Sequence, residues 1–304
     1  MARLLIGRVA QALGSFLIVT VVVFLLVRLT GDPLQVLLPL DATPEMYERF
    51  ERELGLNLPW IEQYGRYLAG VVSGDLGLSH RTRLPVAELI GERLPATFQL
   101  AVAALSISLV VAIPLGLYAA YWRGSRLDVL ARVIAVIGQS TPSFWLGLLL
   151  ILAFALQLPL LPAGGYGSWR HIILPASTLA WFVIAGLTRL LRSSMLEALS
   201  SDYVRFARSR GVSETRIVWK HGLKNAALPV LTYAGTLAAA ILTGAVVTET
   251  VFAWPGLGRL MIEAITARDF PVVQGVVLVM SGIFVGVNFI VDVLYLYLDP
   301  RLRG

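Results

Sequence analysis

Six polar side chains interrupt the apolar stretches of this chain: Gln11, Arg28, Gln139, Glu249, Asn288 and Asp292. The last four could do chemistry inside a membrane. An unpaired charge in hydrocarbon is costly, so such groups either line a polar pathway or bond to a neighbouring helix. Asn288 and Asp292 are four residues apart and therefore share one helix face. Glu249 could also pair with Arg28. Both interpretations, a translocation path and a staple between helices, stay open for these residues.

Residues that could catalyse a reaction do not form a recognisable site. A nucleotide-binding P-loop needs a lysine followed by serine or threonine, whereas Lys220 precedes histidine and Lys224 precedes asparagine. The three histidines offer no H-E-x-x-H pair, and the chain has no cysteine for a thiolate or a metal site. We therefore expect no catalytic residue, no metal site and no cofactor bound by this chain itself.

A basic segment, residues 189–224, carries eight Lys or Arg residues against three Asp or Glu residues, a net charge of +5. Apolar stretches flank it, so the pattern predicts an exposed loop, and its positive excess predicts that the loop lies in the cytoplasm. Tyr203, Phe206 and Ala207 could form the apolar stripe of a short helix that Gly211 ends. Such a helix could dock a soluble partner, or its basic face could rest near anionic lipid.

The composition of the whole chain indicates an integral membrane protein. Of its 304 residues, 57% are hydrophobic and 14% charged, whereas about 25% of residues are charged in soluble domains. The net charge of +6 could suggest a nucleic-acid partner. The basic residues lie in short segments between apolar stretches rather than on one folded face, so we expect no nucleic-acid binding.

Six apolar stretches are each near the roughly 20 residues that a helix needs to cross a bilayer. They cover approximately residues 9–29, 97–121, 133–156, 172–190, 226–248 and 271–297. We interpret the first as a retained helix rather than a cleaved signal. Charge asymmetry then places both termini, including Asp299, Arg301 and Arg303, in the cytoplasm. The predicted units are an N-terminal helix (1–30), an extracytoplasmic subdomain (31–95) and a five-helix core (96–304) with a cytoplasmic loop at about 193–225.

The extracytoplasmic subdomain is predicted to contain two helices. Thr43, followed by proline, opens the first, and Gly55 closes it. A second helix starts at Pro59. Three aromatic residues share one of its faces: Trp60, Tyr64 and Tyr67. They could rest at the membrane interface or pack on the bundle, or they could contact an external partner or substrate.

The basic segment resembles the motif that permeases of ABC importers present to their ATPase subunits, E-A-A-x3-G-x9-I-x-L-P, in the variant of the dipeptide, oligopeptide and nickel permeases. The positions that carry the resemblance are Arg205, Phe206, Ala207, Gly211, His221 and Leu223. Arginine replaces the glutamate of the general pattern, and Lys224 stands where that pattern has proline. Both departures are typical of the peptide subgroup.

The similarity extends along nearly the whole chain in a fixed order. The further matching segments are Gly31-Asp32-Pro33, Glu53-Leu54-Gly55-Leu56, Gly74-Asp75-Leu76-Gly77, Thr141-Pro142-Ser143-Phe144-Trp145, Leu161-Pro162-Ala163-Gly164-Gly165, Glu249-Thr250-Val251-Phe252, Trp254-Pro255-Gly256-Leu257-Gly258-Arg259 and Asp299-Pro300-Arg301.

The resemblance implies an all-α membrane fold like the transmembrane domain of a type I ABC importer, in the inner membrane of a bacterial or archaeal cell. The implied partners are a second, similar permease, two cytoplasmic ATPases that bind ATP and Mg²⁺, an extracytoplasmic substrate-binding protein and membrane lipid. A coupling helix at about Asp202 to Gly211 would enter a cleft on one ATPase. The coupling residues that the resemblance implies are Asp202, Tyr203, Arg205, Ala207, Arg208, Gly211, His221, Leu223 and Lys224.

The implied substrate is a dipeptide or oligopeptide. Nickel chelates, opines and glutathione are alternatives within the same family. Two other classes of protein stay open: a secondary transporter driven by an ion gradient, which predicts intramembrane acids and often an inverted repeat, and a membrane scaffold that moves no solute.

Overall fold

The computed structural model describes residues 2–30, 34, 38, 42–53 and 55–298. Within these residues the chain is almost wholly helical, without a β-sheet. The segments Gly31-Asp32-Pro33 and Asp299-Pro300-Arg301 lie outside the described residues, as do Leu54 and Arg303. The predicted position of the C-terminal end therefore concerns a part of the chain that the structure does not describe.

The helices are numbered here in chain order. They are α1 (Ala2–Thr30), α2 (Pro44–Glu53), α3 (Trp60–Ser73), α4 (Val86–Tyr121), α5 (Arg126–Ser140), α6 (Ser143–Leu150, continued by the π-helix Ile151–Gln157), α7 (Trp169–Ser200), α8 (Asp202–Ser209), α9 (Glu214–Arg216, continued by the π-helix Ile217–Gly222), α10 (Leu223–Gly244), α11 (Val246–Val251), α12 (Leu257–Thr266) and α13 (Phe270–Leu298).

The predicted all-α membrane fold is confirmed. Helices α1, α4, α7 and α13 are long and apolar enough to cross a membrane, and two bent helix pairs raise the number of spans to six if each pair is one span. The predicted third span is not a straight helix: α5 and α6 meet at an angle of 108°. Thr141 precedes Pro142 and has an extended backbone, ψ 120°, because the proline ring disfavours the helical conformation of the preceding residue.

The core lies between α4, α7 and α10. Leu117 of α4 and Leu187, Leu191 and Met195 of α7 are almost completely buried there. A second apolar cluster joins the start of α4, around Val86, to α12 and α13. Helix α4 therefore extends from one end of the bundle to the other, and its 36 residues measure about 54 Å at 1.5 Å per residue.

Both helices predicted for segment 31–95 are present as α2 and α3. The hydroxyl of Tyr64 shares a hydrogen bond of 2.8 Å with Thr20 of α1. The rings of Tyr64 and Tyr67 pack against Phe24, at centroid distances of 5.4 and 5.9 Å. These two aromatics thus pack on the bundle, as one interpretation predicted, whereas Trp60 is 55% exposed.

The prediction that residues 189–224 form a loop is wrong in conformation. Helix α7 continues to Ser200, and helical structure resumes at Asp202 and at Glu214. The continuation of α7 buries Leu191, Met195 and Ala198, which recur at the spacing of one helix face. The basic charge of this segment therefore lies on the ends of packed helices.

Candidate functional site

Helix α8 is the short helix that the sequence pattern predicts at one end of the bundle. It begins after Ser201, has Asp202 in its first turn and Arg208 in its last, and these charges suit the dipole of a helix. Gly211 follows with φ +76°, a left-handed conformation that favours glycine. The amide of Val212 bonds back to Ala207 O at 3.2 Å and closes the helix end.

The two faces of α8 differ from the predicted apolar stripe. Val204 is the residue that anchors the helix, because its side chain is completely buried. Ala207 is half-buried, whereas Phe206 is 62% exposed and lies under the guanidinium of Arg210, 5.1 Å from the ring centroid. The helix is thus fixed by one face and presents an aromatic ring and a cation on the other.

The segment after α8 holds the helix in place through hydrogen bonds. Arg208 donates to both carboxylate oxygens of Glu214, at 2.9 and 3.3 Å, and this pairing raises the pKa of the arginine. Asn225 donates from Nδ2 to the hydroxyl of Tyr203 at 2.8 Å and to the carbonyl of His221 at 3.1 Å. Tyr203 and His221, which are both predicted to couple the permease to an ATPase, therefore lie next to each other.

The remaining predicted coupling residues divide between surface and interior. Asp202, Arg205 and Lys224 are exposed. Leu223 instead packs against the core between α4, α7 and α10. Leu223 therefore anchors the basic segment to the core and does not form part of its exposed surface.

Gln139 lies beside the 108° bend between α5 and α6. Together with Thr141, Thr178 and Phe182 it lines a cavity of about 410 Å³ that α7 and α10 also border. A polar side chain at a bend next to a cavity is compatible with a translocation path, since irregular backbone at membrane depth occurs where it lines a cavity.

Glu249 is completely buried and does not pair with Arg28. Its carboxylate accepts hydrogen bonds from the Thr97 hydroxyl at 2.9 Å and from the Arg259 amide at 3.1 Å. A Cβ atom at Gly256 would overlap this carboxylate. These contacts join α4, α11 and α12, and they favour the staple interpretation for Glu249.

The pair Asn288 and Asp292 faces α1. Asp292 forms an ion pair of 2.9 Å with Arg8, and Asn288 Nδ2 donates to the carbonyl of Phe284 within its own helix. Both side chains also line a cavity of about 610 Å³ between α1 and α13. The ion pair joins two helices and so fits the staple interpretation. The position of both side chains at a cavity also fits a translocation path.

Most of the chain matches two models of known protein families. Residues 1–101 match the family model described as the N-terminal membrane component of binding-protein-dependent transport systems. Residues 112–304 match the model described as the inner membrane component of such systems. The chain belongs to this family. It is a multi-pass inner-membrane permease component of a binding-protein-dependent ABC importer, not a catalytic subunit.

Curated relatives cover the permease from end to end. A putative peptide transport system permease protein of Brucella abortus is 44% identical over 312 positions, which cover 100% of this chain and 99% of the relative. A similar protein of Brucella suis shows the same values. The glutathione transport system permease protein GsiC of Escherichia coli is 41% identical over 304 positions, with 100% and 99% coverage.

Sequence reasoning missed one ion pair that supports the basic end of the permease. Asp128 of α5 and Arg192 of α7 form it, and Asp128 also accepts from the amide of Gly124 at 3.0 Å. The two residues are 64 positions apart, and no local pattern connects them.

Proposed function

We propose that this permease couples to a cytoplasmic ATPase through α8 and the segment that follows it, and that it forms part of the membrane path for dipeptides or oligopeptides. The observation that carries this proposal is the orientation of α8. Val204 fixes one face in the protein, while Phe206 and Arg210 are directed outwards. An exposed aromatic ring beside a cation is typical of the residues that dominate the energy of protein interfaces.

The proposed orientation puts α8 and the two termini in the cytoplasm. The excess of basic residues at this end of the bundle supports it. The opposite end, with α2 and α3, would then face the substrate-binding protein. The proposed assembly contains this chain, a second similar permease, two ATPases that bind ATP and Mg²⁺, and one binding protein.

The proposed mechanism needs no catalytic side chain in this permease. The ATPase pair binds ATP better in its closed arrangement, so that closure moves the docked helices together. Helix α8 follows α7 directly, and α7 is joined to α5 by the ion pair of Arg192 with Asp128. Movement of α8 would therefore reach the bend beside Gln139. This residue lines the cavity between α5, α7 and α10.

The peptide substrate is supported by the relatives that are named as peptide permeases and are 44% identical. Glutathione, itself a short peptide, is the alternative that the name of GsiC supports. Transport assays with dialanine, trialanine and glutathione in vesicles that contain the complete importer distinguish the two. If the importer takes up neither dialanine nor trialanine, the peptide assignment is wrong.

Single-cysteine labelling tests the orientation cleanly, because the natural chain has no cysteine. Ser209→Cys on α8 is expected to react with a membrane-impermeant maleimide only after spheroplasts are permeabilised. Ser73→Cys at the end of α3 is expected to react in intact spheroplasts. Labelling of Ser209→Cys in intact spheroplasts would overturn the proposed orientation and, with it, the docking of a cytoplasmic ATPase.

The docking itself is tested with Phe206→Ala. The ring contacts Arg210 at the surface, so its removal should leave the fold intact. Loss of an aromatic anchor is expected to weaken ATPase association by about 2 kcal/mol, or roughly thirtyfold. Arg123→Ala removes an exposed side chain between α4 and α5, outside α8 and the segment after it, and serves as the control. Equal co-purification of the ATPase with wild type and Phe206→Ala contradicts the proposal.

A further inference from the structure

A third cavity lies at the end of the permease opposite α8. It measures about 490 Å³ and is bordered by the end of α1, by α3, by the loop 75–80 and by the start of α13. The neighbouring residue Val86 begins α4, whereas the other end of α4, at Tyr118, contacts Trp219 in the basic segment. This cavity therefore belongs to neither the coupling surface nor the cavity at Gln139.

Three buried polar atoms lie in side chains that line this cavity, and none has a hydrogen-bond partner among the described residues. They are Gln63 Oε1, Tyr67 Oη and His80 Nδ1. A buried polar atom without a partner is costly in a folded protein. All three side chains border one cavity, and a ligand there that carries both donors and acceptors would supply the missing partners.

The orientation of Gln63 is fixed by the chain around it. Gln63 is only 7% exposed. Its Nε2 donates to the carbonyls of Leu56 at 2.9 Å and Leu58 at 2.8 Å. The amide cannot turn over without losing both bonds. The free atom is therefore the oxygen, an acceptor that needs a donor from the ligand.

Tyr67 offers the opposite capacity. Burial raises the pKa of its hydroxyl to about 12, with Gln274 close enough to oppose that shift. The group stays a neutral phenol near pH 7 and can donate a hydrogen bond to an anion. The tyrosine ring is held by its packing on Phe24, so the hydroxyl position is preset.

Charges of both signs line the same cavity. Arg28 places its guanidinium 5.5 Å from the ring centroid of Phe24. Asp75 also lines the cavity, and one of its carboxylate oxygens accepts from the amide of Gly77 at 2.9 Å. Arg66 also lines the cavity and pairs with Glu62 at 3.0 Å. A guanidinium suits a carboxylate or phosphate, whereas a carboxylate and an amide oxygen suit an ammonium.

We propose that this cavity binds a zwitterionic group, in which an anion meets Arg28 and Tyr67 while a primary ammonium meets Gln63 and Asp75. Two sources share this chemistry: the phosphoethanolamine head group of a membrane lipid, and the carboxylate and ammonium of a free amino acid or short peptide. The site shares no lining residue with the cavity at Gln139, so the proposal does not depend on what the importer carries.

The full-length permease in nanodiscs provides the test. In one arm, native mass spectrometry compares retention of phosphatidylethanolamine and phosphatidylcholine from an equimolar mixture, since the choline ammonium has no N–H donor. In the other arm, dialanine is titrated into permease in phosphatidylcholine nanodiscs. Preferential retention of phosphatidylethanolamine identifies a lipid head group, and saturable dialanine binding identifies a soluble ligand.

A matched pair of variants links either result to the cavity. Tyr67→Phe removes a hydroxyl that lines the cavity and is expected to weaken binding about tenfold, the effect of one hydrogen bond to a charged group. Tyr64→Phe is the control on the same helix, because its hydroxyl bonds to Thr20 outside the cavity. Arg28→Gln should weaken binding further. The proposal is overturned if neither probe binds, if both lipids are retained equally without dialanine binding, or if the two tyrosine variants behave alike.

Discussion

Arg192 donates two hydrogen bonds from its guanidinium to the carboxylate of Asp128. Nη2 lies 3.1 Å from Oδ2, and Nε bonds to Oδ1. Asp128 is 2% exposed and Arg192 21% exposed. A bidentate pair of this kind fixes orientation as well as distance. It therefore sets the angle between α5 and α7 at the end of the bundle where α8 begins.

Removing one partner of this ion pair is expected to destabilise the permease. Arg192→Met leaves the Asp128 carboxylate buried without its main partner, a change that costs roughly 3 kcal/mol. Arg132→Met is the control, because Arg132 is 56% exposed and 3.7 Å from the same carboxylate, so its loss should cost less than about 1 kcal/mol. Thermal unfolding in detergent measures both. Equal shifts in Tm would show that Asp128 does not depend on Arg192.

The backbone at Gly211 is expected to matter for coupling. Its φ of +76° costs a side chain about 1–2 kcal/mol, so Gly211→Val should distort the end of α8 and reduce ATP-driven uptake. Overall stability should change little, because the residue is exposed. Gly74→Val introduces a similar strain, φ +79°, at the end of α3 and therefore away from the basic segment. Normal uptake by Gly211→Val, or an equal loss in both variants, argues against a coupling role for this turn.

The sequence was sufficient for the fold class, for α2, α3 and α8, and for the end of α8 before Gly211. Hydropathy and cap residues act locally, so a single chain displays them. It was less informative about the third span, although Pro142 carried the signal for a break. The continuation of α7 is hard to recognise because charged residues surround the helically spaced Leu191, Met195 and Ala198.

The site was predictable only where its residues are neighbours in sequence. Distant contacts had no such signal: Thr97 bonds to Glu249 across 152 positions and the pair of Asp128 with Arg192 spans 64. The suggested pairing of Glu249 with Arg28 was wrong because burial of the carboxylate is satisfied by Thr97 and a backbone amide instead. The functional roles of the coupling residues stay predictions.

The approach of Gly256 to Glu249 gives a prediction about stability. A methyl group at residue 256 would overlap the carboxylate, and Gly256→Ala should destabilise the permease by about 2–3 kcal/mol through overpacking. Gly286→Ala is the matched control, since a Cβ there has nothing within 4 Å and alanine favours a helix. Unfolding midpoints of the two variants provide the comparison. A Gly256→Ala protein as stable as Gly286→Ala would mean that Glu249 can move aside at little cost.

His80 gives a prediction about pH. Burial lowers the pKa of this imidazole, Asp269 opposes the shift and Arg83 adds to it. Because the folded pKa lies below the ordinary value of 6.5, the unfolded chain takes up the proton first as the pH falls. The stability that neutral His80 contributes is therefore complete above pH 6.5 and is lost as the pH falls towards the folded pKa.

Replacing this histidine should flatten the pH dependence. The difference in Tm between about pH 7.5 and pH 5.5 is expected to be smaller in His80→Gln than in the wild type, because the variant has no imidazole to protonate at this position. His171→Gln, which changes a histidine bonded to Ser168 at 2.8 Å, controls for the loss of a histidine elsewhere at the same end of the bundle. An unchanged slope in His80→Gln would mean that other groups, the carboxylates first, account for the acid sensitivity of the permease.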